Sequence, residues 1–542
     1  MVRTARAKKV ALGLDFGTES VRALLVDLDG KERGSAVVPF RHGQITERLP
    51  TSGARLPPDF ALQHPADWID SAARAVRKAM RSAKPSPNAL ISIGVDFTAC
   101  TMLPTTIDGT PLCQLKQFEK KIFAWPKLWK HHGAKKQTDR INEVARKRRE
   151  RWLKRYGGII GLEWMFPKIL ETLQEAPTIY KSADVWIEAG DWFVWQLVGS
   201  KAAELPRSTC MAGYKAMWGG KGGYPSEAYF AAVDSRLKRV VAEKMPGRLL
   251  APGELAGELT PEMAKRFGLP AGIPVSAAII DAHAGVPGAG AADPGTLVMV
   301  IGTSSCHMLN GVEEKHIPGV AAVAKGGILP GYYGYETGQA AVGDAFDWLR
   351  RMVGQKGFGR WAKDAEGLPP GAEGVRCLDW FNGCRTPYMD GSLRGAFSEL
   401  TLNHGPHHLY RSLLEASAYG LRWNVEILRR GGVPVRKYVA TGGLPHHNPF
   451  LVQVYADVLG EPITVHPSQQ GPALGAAILG VLAAPPSVSG FSSPGAAIRA
   501  MADPRRGPGK ARVVRPNRRL AKEYDTIYKE YRDMAASIAG KR

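Results

Sequence analysis

Short stretches of this chain pair an acid with groups that suit phosphate. The apolar run SAAII, 276–280, delivers Asp281, and the run LVMVI, 297–301, delivers Gly302, Thr303, Ser304 and Ser305. Near the start, VALGL, 10–14, delivers Asp15, Gly17, Thr18, Glu19 and Ser20. A carboxylate can accept a proton, while backbone N–H groups and hydroxyls in Gly-Thr-Ser turns can cradle a phosphate. A base beside such a cradle suits phosphoryl transfer to a hydroxyl. Taken singly, each stretch also reads as an aspartate closing a turn or a Gly-Ser loop joining two strands.

Apolar runs bounded by Gly and Pro read as buried strands, which would hold these turns in place. Residues 10–30 read as strand, turn, strand, with Asp29-Gly30 as a hairpin signal. The stretch 297–309 repeats that plan, so the spacing suggests a duplicated architecture with a nucleotide between the halves. Between them the pattern predicts a helix over 65–82, a buried strand over 89–97, a helix after Pro167 and an aromatic helix over 184–199. Residues 207–218 read as a loop carrying Lys215, whose ammonium can orient a polyol or phosphate or lie in solvent. Residues 283–296, rich in Gly, Ala and Pro, read as an interdomain hinge. Further on, 331–353 reads as a strand, a Gly-rich turn at Glu336 to Gly343, and a helix. Glu336 can hydrogen-bond sugar hydroxyls, and Gly343 can admit a nucleotide or simply pack helix on sheet. An amphipathic helix over 407–432 leads to a strand whose end carries Gly442 and Gly443. Asn448 precedes a helix opened by Pro449. The small-residue helix 470–484 is expected to pack against that 437–460 element.

At 542 residues the chain should fold as two large domains or more, and 44% hydrophobic with 23% charged residues is ordinary for a globular protein. The net charge of +22 is not ordinary. It gathers in the first residues, in 134–155 and after Pro504, and no helix-turn-helix, zinc or RNP pattern accompanies it, so nucleic acid is not the expected partner. Six cysteines include no CxxC pair, which fits a reducing compartment. The histidines at 131–132, 404–408 and 446–447 lack zinc spacing. Walker A, a strand-borne GxGxxG and GxSxG are absent. Neither a secretory signal nor a membrane span is expected, which leaves the cytoplasm.

The segments LDFGTESVRALLVD, VDFTACTMLP, FAWPKLWKHH, EWMFPKILE, RSTCMAGYKAMW, IIDAHAGVPGAG, VIGTSSCHML and ATGGLPHHNPFLVQVYADVLGEPI, in this order, resemble the FGGY carbohydrate kinases and among them the ribulokinases. The resemblance implies an α/β fold of the actin, hexokinase and Hsp70 type, ribonuclease H-like, with a cleft between duplicated lobes. Residues 1–285 would form the sugar-binding lobe and 286–542 the nucleotide-binding lobe, with a basic tail from about 504. It implies ATP-dependent phosphorylation of L-ribulose at O5, in L-arabinose catabolism, with Asp281 as general base. Ala99, Lys215, Asp281 and Glu336 would contact the sugar, and Thr18 and Arg22 would lie near the transferred phosphate. Gly302 and Thr303 would hold nucleotide phosphates, while Gly343, Gly442, Gly443 and Asn448 would line the adenosine pocket. Mg²⁺ would sit near Asp15 and Asp281, mainly through water. Glu19 departs from the small polar or Asp residue usual there. A kinase for D-ribulose, xylulose or ribitol is the neighbouring alternative, and a sugar-sensing or nucleic-acid-associated protein on the same fold a more distant one. The expected partners are a ketopentose and ATP, with no membrane; a homo-oligomer stays open.

Overall fold

The computed structural model describes residues 8–86, 88–503 and 511–540. Most of the basic N-terminal run and the start of the basic tail lie outside the described residues. Two sheets are built on one plan. In the first, strand Val10–Phe16 pairs antiparallel with Ser20–Asp27, which pairs antiparallel with Glu32–Pro39. On its other flank Val10–Phe16 runs parallel to Leu90–Phe97, which is parallel to Pro274–Ser276 and Ile279–Ile280. In the second, Thr296–Ile301 pairs antiparallel with Ser305–Gly311, and that strand with Tyr333–Gln339. On its other flank Thr296–Ile301 runs parallel to Lys437–Thr441, and that to Ile463–Val465. The order of pairings is the same, so the two similar hairpins in the sequence mark a duplicated architecture.

The central strands are buried along their whole length because helices cover both faces. The helix Gly471–Ala483 supplies one cover, and it lies on the first sheet, not on the 437–460 element expected from the sequence. Its backbone approaches so closely that a Cβ on Gly13 would sit 1.9 Å from the Ala473 carbonyl oxygen, and one on Gly94 would sit 1.7 Å from that of Ala476. Glycines and alanines were legible there, but periodicity does not say which sheet they meet. This helix belongs to the core of the first sheet, whereas a separate core surrounds the second. The proposed cut at 285/286 thus leaves a piece of the first core on the far side.

Some local expectations need correction. Within 283–296, the residues up to Gly288 are not loop but part of the helix Asp281–Gly288, pressed against Gly471–Ala483. Gly288 and Gly475 are there for backbone contact, with a Cβ on Gly475 placed 1.8 Å from the Ala284 oxygen. Within 184–199 a strand, Val185–Glu188, precedes the helix Ala189–Val198. Residues Thr209–Lys215 are a short helix, not a loop, with the Ser208 hydroxyl accepting from the Cys210 N–H. Glu336 lies inside the strand Tyr333–Gln339, not in a turn. The six cysteines form no disulfide. Among the described residues no helix is long and apolar enough to cross a membrane.

Candidate active site

The parallel strands of the first sheet end together and bring three aspartates to one place. Asp15 stands directly opposite Asp96 in the register, and Asp96 opposite Ile279, so Asp281 follows one residue beyond the neighbouring pair. Asp281 then opens the helix Asp281–Gly288 and accepts a 2.7 Å hydrogen bond from the Ala282 N–H. Burial pushes its carboxyl up to about 7; the charge of Asp15 adds to the rise, while the Ala282 N–H and Lys215 oppose it. Burial raises Asp15 as well, against the pull of the Arg22 guanidinium 2.9 Å away. Asp96 is fully buried, and burial together with the charges of Asp15 and Asp281 holds its carboxyl far above the usual carboxylate range.

Asp281 faces a cavity of about 400 Å³ lined also by Asp15, Gly17, Thr18, Ala99, Lys215, Gly302, Thr303 and Glu336. Both hairpin loops therefore open on the same space. The first is closed by the Gly17 N–H donating to Ser20 O (3.0 Å), the second by the Gly302 N–H donating to Ser304 O (2.9 Å). A Cβ on Gly302 would meet nothing within 4 Å, so its backbone is open to a ligand. The Thr18 hydroxyl accepts from the Trp129 indole N–H at 3.1 Å.

At another wall, Lys215 from the first half of the chain lies 3.2 Å from Glu336 on the second sheet. His283 Nε2 is 3.4 Å and Arg385 Nη1 is 3.8 Å from the same carboxylate. Burial alone would raise Glu336, but Lys215, His283 and Arg385 outweigh it and hold it well below the usual carboxylate range. Burial would likewise lower Lys215, yet Glu336 keeps it an ammonium. The cavity thus offers a poised base and, opposite, a fixed acceptor beside a fixed donor, the set a polyhydroxylated ligand needs.

The other anticipated residues lie outside this lining. Arg22 stands behind Asp15. The Gly343 N–H donates to the Gly302 oxygen at 3.0 Å, so it braces the second phosphate-type loop. Gly442, at φ +96°, lies against the backbone of Ile301, and a Cβ on Gly443 would meet only a His447 carbon, 3.9 Å away. Asn448 caps the helix Pro449–Leu459 by accepting from the Leu451 N–H, and its amide donates to the Tyr410 hydroxyl at 3.0 Å.

Sequence reasoning missed Asp96, Trp129, Glu163, His283 and Arg385. Asp96 was open to discovery, because ISIGVD ends an apolar run in aspartate as VALGLD and AAIID do. Arg385 had no signal; it reaches the cavity from an irregular segment distant in the chain.

Models for the N-terminal and C-terminal domains of the FGGY family of carbohydrate kinases match residues 10–288 and 297–484. The chain belongs to the FGGY family of carbohydrate kinases. It is 42% identical to a ribulokinase of Geobacillus thermodenitrificans over 97% of this chain and 93% of that protein. It is 43% identical to a ribulokinase of Shouchella clausii, over 97% and 94% of the two chains. In fold it is similar to a xylulose kinase from Rhodospirillum rubrum, with a TM-score of 0.79 at 21% identity over 98% of this chain and 99% of the other. It is also similar to a Plasmodium falciparum glycerol kinase solved with ADP, with a TM-score of 0.75 at 17% identity over 97% and 98%. The two-domain kinase fold of the family is therefore the fold of this enzyme.

Proposed function

We propose that this FGGY kinase is a ribulokinase that transfers the γ-phosphate of ATP to O5 of L-ribulose in the cytoplasm. The observation that carries the reading is the single cavity in which Asp281, both Gly-Thr loops, Lys215 and Glu336 meet. The ribulokinase relatives supply the substrate class.

Phosphoryl transfer through a loose transition state asks for alignment and charge stabilisation more than for covalent chemistry. Asp281 accepts the proton of the sugar hydroxyl as its oxygen attacks. Its raised carboxyl suits a base working near neutral pH. Glu336 accepts from sugar hydroxyls and Lys215 donates to them, with Ala99 alongside. The N–H groups and hydroxyls around Thr18, Gly302 and Thr303 receive phosphate oxygens, while Gly343, Gly442, Gly443 and Asn448 shape the adenosine end. Approach of the lobes excludes water, which would otherwise compete as acceptor.

The hard oxygen donors of Asp15 and Asp281 on the cavity wall fit Mg²⁺, which these residues would hold largely through water. When bound, Mg²⁺ neutralises charge on the transferred phosphate. Turnover of ATP measured with L-ribulose, D-ribulose, xylulose and ribitol tests the reading. L-ribulose should give the highest kcat/KM, and a clear preference for another member would replace it as substrate. Binding to DNA with no sugar-stimulated ATP turnover would overturn the kinase reading altogether.

A further inference from the structure

The cavity that holds Asp281 has a neighbour. A second chamber of about 520 Å³, open to solvent, lies beside it. Glu163, Lys215, Glu336 and Arg385 line both, whereas Asp15, Thr18, Asp281 and Gly302 line only the first. The shared residues therefore stand at the end of the catalytic cavity away from the phosphate loops. The partition is made of long side chains, not backbone: Lys215 and Arg385 approach Glu336 to 3.2 and 3.8 Å. Two cations and two anions make it electrically balanced, so it presents no net charge to a neutral group placed against it.

The chamber walls come from both lobes. Thr138 and Asn142 belong to the helix Lys135–Lys147, and Asn382 and Arg394 face them from the second half of the chain. Trp164 adds an aromatic wall, with the Lys215 ammonium 5.7 Å from its ring centre. The rest of the lining carries Lys135 and Arg394 against Asp139 and Asp390, so its charges balance, and with the indole and the Asn382 amide it offers donors and acceptors to a neutral hydroxylated chain.

We propose that this chamber is a subsite for neutral, hydroxylated groups attached at C1 of the ketose, so that the enzyme phosphorylates ketoses extended at that end. The inference rests on the sugar reading above. With O5 at Asp281 and Lys215 and Glu336 on oxygens farther along, C1 points at the shared partition. Extension at C1 then lengthens the ligand into the chamber, while extension at C5 would push it into the phosphate loops.

The test compares L-ribulose with its 1-O-(2-hydroxyethyl) ether, whose 5-hydroxyl is free, in the wild type, Asn382→Trp and Asn382→Ala. Asn382 is exposed and lines the chamber but not the catalytic cavity. The wild type should use the ether with kcat/KM within about tenfold of the parent sugar, the range a small neutral group is worth in a pocket that accommodates it. Asn382→Trp, which fills the chamber, should cost the ether at least about tenfold more than the parent, and Asn382→Ala should spare both. A wild type that phosphorylates L-ribulose but not the ether overturns the subsite and leaves the ribulokinase reading standing. Equal losses on both substrates in Asn382→Trp also overturn the subsite. Failure to phosphorylate L-ribulose itself overturns the sugar reading and the subsite with it.

Discussion

Asp281 and Glu336 line one cavity, and their surroundings drive these two carboxylates in opposite directions. Asp281 loses water and has Asp15 as an acidic neighbour, so its proton affinity rises to about 7. Glu336 is as deeply buried, but Lys215, His283 and Arg385 surround it and keep it ionised. Environments that split a pair of acids in this way assign them different work. In the proposed reaction Asp281 moves a proton and Glu336 only accepts hydrogen bonds. Asp281→Asn keeps the shape of the side chain and removes its basicity. Turnover should fall at least about a hundredfold, the usual worth of a positioned base, while calorimetry finds sugar affinity changed by no more than a few-fold. A variant turning over at near the wild-type rate would strip Asp281 of the role of base.

At the scale of elements, the strands that deliver Asp15, Asp96 and Asp281 were legible because each is an apolar run ended by an acid. The helix Pro65–Ala83 and the helix Pro406–Arg430 were legible because one face of each is apolar at helical spacing. What stayed hidden depended on partners. Polar side chains interrupt 184–199 only at Asp184, Glu188, Asp191 and Gln196, too few to set a period that separates the strand Val185–Glu188 from the helix after it. Residues 283–296 are rich in Gly, Ala and Pro, yet those up to Gly288 are helical, and Gly288 serves contact with Gly471–Ala483. Gly475→Val should therefore destabilise the protein by about 1–3 kcal/mol, as overpacking does. The displaced helix begins at Asp281, so kcat should fall with it. Denaturant titration and kinetics check both, and a variant equal to the wild type in each would show that the contact has slack.

Glu188, where the strand Val185–Glu188 meets its helix, makes a second prediction. Its side chain is buried without a hydrogen-bond partner among the described residues, and burial pushes it up to about 8, with Lys168 opposing. A carboxyl raised in the fold binds its proton more tightly there than in the unfolded chain. Its stabilising contribution is complete below the ordinary carboxylate range and declines as pH rises to about 8. Glu188→Gln should flatten the fall in stability between those limits, measured as the melting temperature across pH. An unchanged slope would place the loss elsewhere.

At the scale of the molecule, two similar sheets suggest two independent units, but the chain does not return them as two consecutive pieces. After completing most of the second sheet it goes back to lay Gly471–Ala483 across the first, where Ala473, Ala476, Ala477 and Ile478 are fully buried. Strands Val10–Phe16 and Leu90–Phe97 and helix Asp281–Gly288 all touch it closely. A fragment ending at Gly288 would expose that face of the sheet, together with Gly13 and Gly94, whose missing side chains leave a groove shaped for a helix. An apolar, uncovered sheet face promotes association instead of stable folding. Residues 1–288 expressed alone should therefore be insoluble or lack cooperative unfolding. Co-expression with 289–542 should yield a soluble complex that recovers sugar-dependent ATP turnover. Purification, thermal melts and activity of the two preparations check this. A fragment 1–288 that melts cooperatively as a monomer would show that the returning helix is an accessory to the first lobe; failure, repaired by the second fragment, would show that the sheet bearing Asp15, Asp96 and Asp281 folds stably only with this helix in place.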